Sequence, residues 1–419
     1  MTSLATVSPF RAAFDSLGDA AERPEAIERF EELGLPTTRH EEWRFTNVAE
    51  LGKTSFAPGR AGDTSITAAD AARLATAPGL VFVDGHYRAD LSQVPVGVAV
   101  QSLAAALAAD QGVRVLLDEA REPDHRAFAA LNDAFYADGV FLRVPKNTKV
   151  APPIHVLFIG TRDAAGHPRN VYLLEEGSEA TVVESYVSAG DDAHFTNPVT
   201  EISVSANASL HHYKLQCENT AAFHVATMYA WQGRDSRFTS HNITLGGRLT
   251  RNDIVATLDA EGIVTTLNGL FLAGGTQHVD NHTWIEHKKP HCESHELYKG
   301  IVDDRASGVF SGYIHVFPDA QKTDAYQSSK NLLLTDEAII DSQPQLEIYA
   351  DDVKCSHGST TGQMDKDALF YLRSRGIPEA AAQGIMVRAF ANDVTNRIEE
   401  EAARARVNAI LTERLGDAG

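Results

Sequence analysis

The spacing of hydrophobic residues divides the chain into three segments. In the first, Phe10, Phe14 and Leu17 recur at intervals of four and three residues, which predicts helix over Pro9–Leu33. Short apolar runs and alanine-rich stretches follow, so we expect an α/β N-terminal region over residues 1–139. The predicted strands there are Leu80–Val83 and Val113–Leu117, and the predicted helices are Ala68–Ala75, Leu103–Ala109 and His125–Tyr136.

The helical spacing disappears over residues 140–362. β-Branched runs such as Val140–Val144 and Ile154–Ile159 alternate with Gly, Asn, Asp and Ser, which predicts short strands joined by turns. A sandwich, a barrel and a β-helix all fit a β domain of this length. A small or polar turn followed by a strand keeps returning, as at Asn207, Asp235 and Gly262. Most intervals are about 25–30 residues, with one long gap, which favours the coils of a β-helix. A β-sandwich is the main alternative.

Helical spacing returns over residues 363–419. The predicted helices are Ala368–Arg373, Glu379–Phe390 and Thr395–Leu415. A β-helix exposes unpaired strand edges at both ends. The N-terminal region and this C-terminal helical module are therefore candidates for its two caps.

Charge and composition narrow the classes of function. The chain has 419 residues, with 57 acidic against 37 basic side chains and a formal net charge of −20. This balance argues against a bulk nucleic-acid binder and against attachment to an anionic membrane surface. Three dispersed cysteines, no signal-peptide pattern and no run of about 20 apolar residues predict a soluble cytoplasmic protein with reduced thiols.

Five histidines fall within one short segment, at His278, His282, His287, His291 and His295. Zinc and iron sites need two to four such side chains converging on one ion. Residues an even number apart share a face of a strand, so His278 and His282 can align while His287 points away. Polar side chains on a solvated sheet face are the simpler interpretation, and no metal is assigned to this cluster.

A second candidate lies at Cys355-Ser356-His357. In a strand, Cys355 and His357 point the same way, about 6.5–7 Å apart. Thiolate and imidazole both bind iron or zinc, but two ligands do not complete a site, so others would have to come from elsewhere, including another chain. A nucleophile–base pair and ordinary core residues remain open as alternatives.

Two carboxylate pairs, Asp303-Asp304 and Asp351-Asp352, raise the possibility of an enzyme that cleaves acidic polysaccharides on a β-helix. Neighbouring strand residues face opposite sides, so each pair supplies at most one carboxylate to a cleft. Nothing in the sequence places a second carboxylate at glycosidase distance. The chain also lacks the export signal typical of such enzymes.

Long motifs in the last third of the chain resemble the SufB/SufD family of iron–sulfur cluster assembly proteins. The matching runs are ELYKGIVDDRASGVFSGYIHV (296–316), DAQKTDAYQSSKNLLLTDEAIIDSQPQLEIYADDVKCSHGSTTGQMD (319–365), LFYLRSRGI (369–377), the upstream PHCESHELYKG and the N-terminal EEWRFTN. The KCSHG motif and the chain length resemble the SufD branch. SufB-like proteins carry an acidic Glu-His-Glu-type motif at this point and a further cysteine near Ser329–Leu334, which this chain lacks.

The resemblance implies a mainly β protein, with a right-handed parallel β-helix core, an α/β N-terminal region and a C-terminal helical region. It further implies a non-catalytic scaffold that pairs with a SufB-like subunit through the β-helix and binds a SufC-like ATPase through its C-terminal helices. A transient Fe–S cluster would be shared at the SufB-like interface, with His357 as the stronger ligand candidate and Cys355 beside it. Reduced flavin in such a complex is a family-level expectation with no residue to assign.

One alternative within the family is a homodimeric, SufB-like scaffold. The missing cysteine near Ser329–Leu334 argues against it, whereas Cys217 argues for it if that thiol lies inside the β-helix and carries sulfur in transit. A small buried apolar role is the commoner one for such a cysteine.

Overall fold

The computed structural model describes residues 8–18, 23–62, 66–94, 100–110, 112–113 and 126–415. Within these ranges the protein is mainly β, and its core is a parallel β-helix with helices at both ends of the chain. This confirms the predicted fold class and excludes the sandwich. The predicted strand Val113–Leu117 lies outside the described residues from 114 onwards.

The β-helix consists of eight coils, each contributing one strand to each of two parallel sheets. The strands of the first sheet, in coil order, are β5 (Val140–Val144), β8 (Arg169–Leu174), β11 (Val199–Val204), β13 (Phe223–Gln232), β15 (Leu249–Leu258), β17 (His278–His287), β19 (Ser307–Val316) and β21 (Ile339–Ile348). Those of the second sheet are β6 (Ile154–Gly160), β9 (Glu179–Ser188), β12 (Ser209–Cys217), β14 (Arg237–Thr244), β16 (Val264–Ala273), β18 (Glu293–Val302), β20 (Asp324–Leu333) and β22 (Lys354–Gln363).

Successive coils stack in register. Phe223 lies opposite Leu249, 26 residues later, and Ser307 lies opposite Ile339, 32 residues later, close to the interval expected from the turns. Alternate side chains face the space between the two sheets, where an apolar core including Phe238, Ile285 and Phe310 runs through the coils. Because neighbouring strands are in register, one interior position forms a column of side chains along the whole solenoid.

The N-terminal region covers the first coil, as expected of a cap. β2 (Leu80–Val83) pairs with β6, and β4 (Val100–Ser102) pairs with β5, so neither strand of the first coil has a free edge. The remaining strands are short: β1 (Ala57–Pro58) and β3 (His86–Tyr87) belong to this region, whereas β7 (Ala164–Gly166) and β10 (Phe195–Thr196) lie between strands of the β-helix. The helices are α1 (Ser8–Asp15), α2 (Pro24–Leu33), α3 (Ala68–Leu74), α4 (Leu103–Ala109) and α5 (Ala127–Phe135).

The prediction of one continuous helix over Pro9–Leu33 is wrong. α1 ends in a turn in which Gly18 adopts a φ of +59°, and α2 begins anew with Pro24 in its first turn. Proline is tolerated there because its missing N–H would have no helical partner. The hydrophobic spacing continues across both helices because both pack into one apolar cluster containing Phe14 and Phe30.

The N-terminal EEWRFTN motif packs against the outer face of the first sheet. The Arg251 guanidinium lies 3.8 Å from the centre of the Trp43 ring and donates to the Glu42 carbonyl at 2.7 Å. It also donates to Asp253 and Asp280, at 2.8 and 2.7 Å. This motif therefore has a structural role, which is to attach the N-terminal region to the middle coils.

The C-terminal helices are α6 (Lys366–Ser374), α7 (Glu379–Thr395) and α8 (Glu401–Leu415). The prediction that the third helix begins at Thr395 is wrong, because α7 continues to that residue and a short connection precedes α8. α7 and α8 pack on the outer face of the second sheet, with Val387, Val394 and Val407 in a shared apolar cluster. They leave the last coil uncovered, so the expected C-terminal cap is absent from the described structure.

No helix in the described ranges is long and apolar enough to cross a membrane.

Candidate metal centre at the open end of the β-helix

The last coil ends the solenoid with two free strand edges. β21 pairs only with β19 and β22 only with β20 in the part of the chain that the structure describes. Large apolar side chains are exposed around these strands, at Tyr326, Ile339, Ile348 and Tyr349. Unpaired edges beside exposed apolar side chains form a surface on which another β-rich chain can pair.

Cys355 and His357 both lie on β22 and point the same way, as their spacing predicts, and the face that they share is the interior of this last coil. Cys355 packs against the apolar core, and Ser359 donates to Ser342 of the opposite sheet at 2.8 Å. His357 lies between these two inward-facing residues and shares their face. Since no further coil covers it, its side chain is exposed at the mouth of the solenoid.

The two side chains differ in their readiness to bind a metal. Burial raises the pKa of the Cys355 thiol, so this group keeps its proton at neutral pH unless a metal displaces it. No hydrogen bond or ion pair joins the His357 side chain to a described residue, which leaves its imidazole available to a ligand from outside. Among the described residues no three His, Cys, Asp or Glu side chains converge on one point. A metal ion bound here would therefore need ligands beyond those that the described residues bring together.

The sequence patterns did not single out two buried polar residues that lie in the coils before His357. Gln327 lies directly opposite His357 on the neighbouring strand, and Glu296 lies opposite Gln327 on the strand before. The Gln327 side-chain amide donates to Glu296 at 2.7 Å. Both residues fall within the motifs that carry the family resemblance, but only the strand register shows that they stack beneath His357.

The histidine cluster at 278–295 does not form a metal centre. His278 and His282 share the outer face of β17, as expected, where His282 lies 3.0 Å from Asp280 and His278 lies 2.7 Å from both Thr46 and Ser307. The other three are separated: His287 is buried, with Ser294 at 2.9 Å, His291 occupies a turn, and His295 faces outward from β18.

The two aspartate pairs shape turns between strands. Asp303 accepts a bond from the backbone N–H of Asp304, and Asp304 accepts one from that of Gly275, both at 2.8 Å. Asp352 forms an ion pair with Lys322 of the preceding coil. Asp303, Asp304 and Asp352 are thus engaged in contacts at coil corners.

Cys217 does not lie inside the β-helix, so that part of the argument for a SufB-like scaffold is wrong. It is on the outer face of β12, between apolar clusters that include Leu215 and Val187. Burial raises the pKa of its thiol to about 11, which keeps it protonated and unreactive. Cys292 is buried in a coil corner, with its sulfur 3.1 Å from the Ala260 carbonyl.

Comparison with known proteins identifies the family of this chain. Residues 157–390 match the family described as SUF system FeS cluster assembly, SufBD core domain, and residues 19–156 match the SufBD protein N-terminal region. The chain belongs to the SufBD family of iron–sulfur cluster assembly proteins.

Within this family the chain is similar to proteins named SufD. It is 36% identical to the iron–sulfur cluster assembly protein SufD of Escherichia coli, over 94% of this chain and 93% of the relative. It is 33% identical to a SufBD family protein of Synechocystis, over 90% and 86% of the two chains. It is also 28% identical to SufD of Bacillus subtilis, over 70% and 68%. The resemblance expected from the KCSHG motif is thereby confirmed.

Proposed function

We propose that this protein is a non-catalytic scaffold subunit that shares a nascent Fe–S cluster with a SufB-like partner, with His357 supplying an imidazole ligand. The observation that carries the proposal is the position of His357. It is exposed at the mouth of an open coil, without a partner among the described residues, in a chain whose described residues offer no complete ligand set. Cys355 is a second, weaker candidate ligand on the same face.

The chemistry of such a site suits a cluster that is cargo. Imidazole binds iron only when unprotonated and more weakly than thiolate, so a cluster held partly by His357 is held less firmly than one with four cysteines. Ligands divided between two chains separate when the interface shifts, which releases the cluster to an acceptor. Reduced flavin belongs to the proposal as an electron source for the complex, with no residue of this chain assigned to it.

The free edges of β21 and β22 are the surface that we assign to the SufB-like partner. A β-helix with the same coil geometry can continue both sheets through main-chain hydrogen bonds, while the exposed apolar side chains Tyr326, Ile348 and Tyr349 become buried. Such pairing brings the ligands of the partner to the mouth where His357 lies.

The C-terminal helices are the surface that we assign to a SufC-like ATPase. No residue of α6 is buried, and Phe370 and Tyr371 are 73% and 57% exposed. α7 is fixed to the β-helix by Lys299, which donates to Asp393 at 2.6 Å and to the Phe390 carbonyl at 2.7 Å. Movement of a docked ATPase could therefore be transmitted through α7 to the coils near the open end.

Replacing His357 tests the proposed ligand. In a complex co-expressed with the SufB-like and SufC-like proteins of the same organism, we expect His357→Ala to leave assembly intact and to lower bound iron and sulfide several-fold. His295→Ala is the matched control, because this histidine faces outward from β18 and is 44% exposed. Equal iron and sulfide content in the His357→Ala complex and the wild type would refute the role of His357.

A further inference from the structure

A column of polar side chains leads from the interior of the β-helix to its mouth. Glu296 on β18, Gln327 on β20 and His357 on β22 occupy the same position in three successive coils. Glu296 and Gln327 are only 4% and 2% exposed, whereas His357 is exposed because no coil follows it. In-register parallel strands hold such neighbours about 4.8 Å apart, so their side chains stack.

Gln327 is held in one orientation from two sides. Its Nε2 donates to Glu296 Oε2 at 2.7 Å. On the facing strand β19, Gly312 leaves the space that the amide occupies, since a Cβ at this position would lie 2.1 Å from Gln327 Nε2. A side chain at residue 312 would therefore displace the amide.

The Gln327 amide oxygen is left without a partner. With Nε2 committed to Glu296, Oε1 is buried and accepts no hydrogen bond from any described residue. Buried acceptors of this kind are rare because losing water without gaining a donor is unfavourable. The next side chain in the column is His357, whose imidazole carries an N–H donor and has no partner of its own.

We propose that Gln327 is a positioning residue for His357: when the exposed imidazole ring turns inward, the Gln327 amide oxygen accepts a hydrogen bond from one of its nitrogens, while Glu296 holds the amide in place. This inference rests on the proposed function of His357 as a ligand. Histidines that bind metals usually donate their second ring N–H to a carbonyl or carboxylate, which fixes the tautomer and directs the other nitrogen at the metal. The column supplies such an acceptor before any cluster arrives.

The tautomer of His357 tests this proposal without any cluster. The full chain, labelled with 15N-histidine and free of metal, is examined by long-range 15N–1H NMR, with the His357 signals assigned from their loss in His357→Ala. We expect the ratio of the two neutral tautomers in the wild type to differ several-fold from that of a free imidazole. In Gln327→Leu the ratio should return to the free value.

A matched control and a second approach make the result decisive. Gln345→Leu alters an exposed glutamine of the last coil on β21 and should leave the ratio unchanged. Gly312→Ala pushes the amide away from the facing sheet and should reproduce the effect of Gln327→Leu, with circular dichroism confirming the fold of each variant. A wild-type ratio equal to that of free imidazole, or a ratio unaffected by Gln327→Leu in the folded protein, would overturn the proposal.

Cluster loading separates this proposal from the one on which it rests. In the co-expressed complex, Gln327→Leu should reduce bound iron several-fold, though less than His357→Ala does. Full loading of the His357→Ala complex would refute the proposed function, whereas the tautomer ratio would still decide whether Gln327 orients the ring. Reduced loading in His357→Ala but full loading in Gln327→Leu would refute the positioning role alone.

Discussion

Arg251 is a large buried residue whose charge lies next to opposite charge. Its guanidinium is 1% exposed and contacts Asp253, Asp280 and the ring of Trp43. Burial opposes ionisation of Asp280, but His282 and Arg251 outweigh it and hold the pKa of this carboxyl well below its usual range. The charge cluster thus attaches the N-terminal region to the β-helix.

Replacing Arg251 should destabilise the protein strongly. Arg251→Leu leaves Asp253 and Asp280 buried without their shared partner, and breaking a buried pair in this way costs about 3–5 kcal/mol. Arg248→Leu removes an exposed ion pair with Glu50, three residues away, and should cost less than about 1 kcal/mol. Urea unfolding measures the loss of free energy of unfolding in each variant. A loss in Arg251→Leu as small as that in Arg248→Leu would show that the buried cluster contributes little.

Glu296 should make stability depend on pH. Burial raises the pKa of this carboxyl from an ordinary 4.5 to about 7, so between these values the folded protein binds a proton that the unfolded chain releases. The contribution of this bound proton to the free energy of unfolding is complete below pH 4.5. It is lost as the pH rises through about 7. Over that range the loss is about 3 kcal/mol for a shift of this size.

The variant Glu296→Gln should remove this dependence while keeping a hydrogen bond to Gln327. Relative to the wild type, the free energy of unfolding of this variant should therefore rise by about 2.5 kcal/mol between about pH 5 and pH 8. Glu293→Gln, on the exposed outer face of the same strand, is the control and should show no such change. An identical pH dependence in Glu296→Gln and the wild type would show that this carboxyl ionises normally.

At the scale of elements, the alternation of side chains between the two faces of a strand predicts much of the candidate site. Period-two spacing predicts that Cys355 and His357 share a face and that His287 turns away from His278 and His282, and the strands confirm both. Alternation does not show which face is interior, and for Cys217 the assumed face is wrong. The Glu296–Gln327 contact depends on the register between coils 31 residues apart, which no local pattern encodes.

The direction of the C-terminal helices also depends on tertiary packing. The spacing of apolar residues predicts that these helices form, but it does not predict which surface of the β-helix the helices cover. In the structure α7 and α8 pack on the outer face of the second sheet, so α6 remains exposed beyond it. The open coil is a consequence of this packing, and the prediction of a cap at both ends is met at the N-terminal end only.

The exposed aromatic residues of α6 should govern ATPase binding. The double variant Phe370→Ala, Tyr371→Ala should lose the SufC-like protein in co-purification and retain the SufB-like protein, because neither residue contributes to the β-helix core. Exposed aromatic side chains are frequent hot spots when a partner buries them. Retention of the ATPase at wild-type stoichiometry would place its binding site elsewhere.

At the scale of the whole molecule, the β-helix is closed at one end and open at the other. The N-terminal region pairs with both strands of the first coil, whereas both strands of the last coil keep a free edge. The same open end carries the exposed apolar side chains and the unpartnered imidazole. Association with a second β-helix at this end would cover the apolar surface and complete the ligand set together.

A charge placed at the open edge should block this association. Ile348→Lys introduces an ammonium group at a 40% exposed position of β21, and charged side chains at strand edges oppose further pairing. We expect the variant to lose the SufB-like subunit in co-purification. Val94→Lys, at a 44% exposed position of the N-terminal region, should retain it. Should both variants bind the partner equally well, the interface would have to lie away from the last coil.

The most direct test of the central claim is pulsed electron paramagnetic resonance of the reduced cluster in the co-purified complex. Only this chain carries 15N-histidine, and the spectrum is compared with that of the unlabelled complex. If His357 binds the cluster, a histidine nitrogen coupling will change from the 14N to the 15N pattern on labelling and will disappear in His357→Ala. A complex that holds a cluster but shows no nitrogen coupling sensitive to the label would contradict the account.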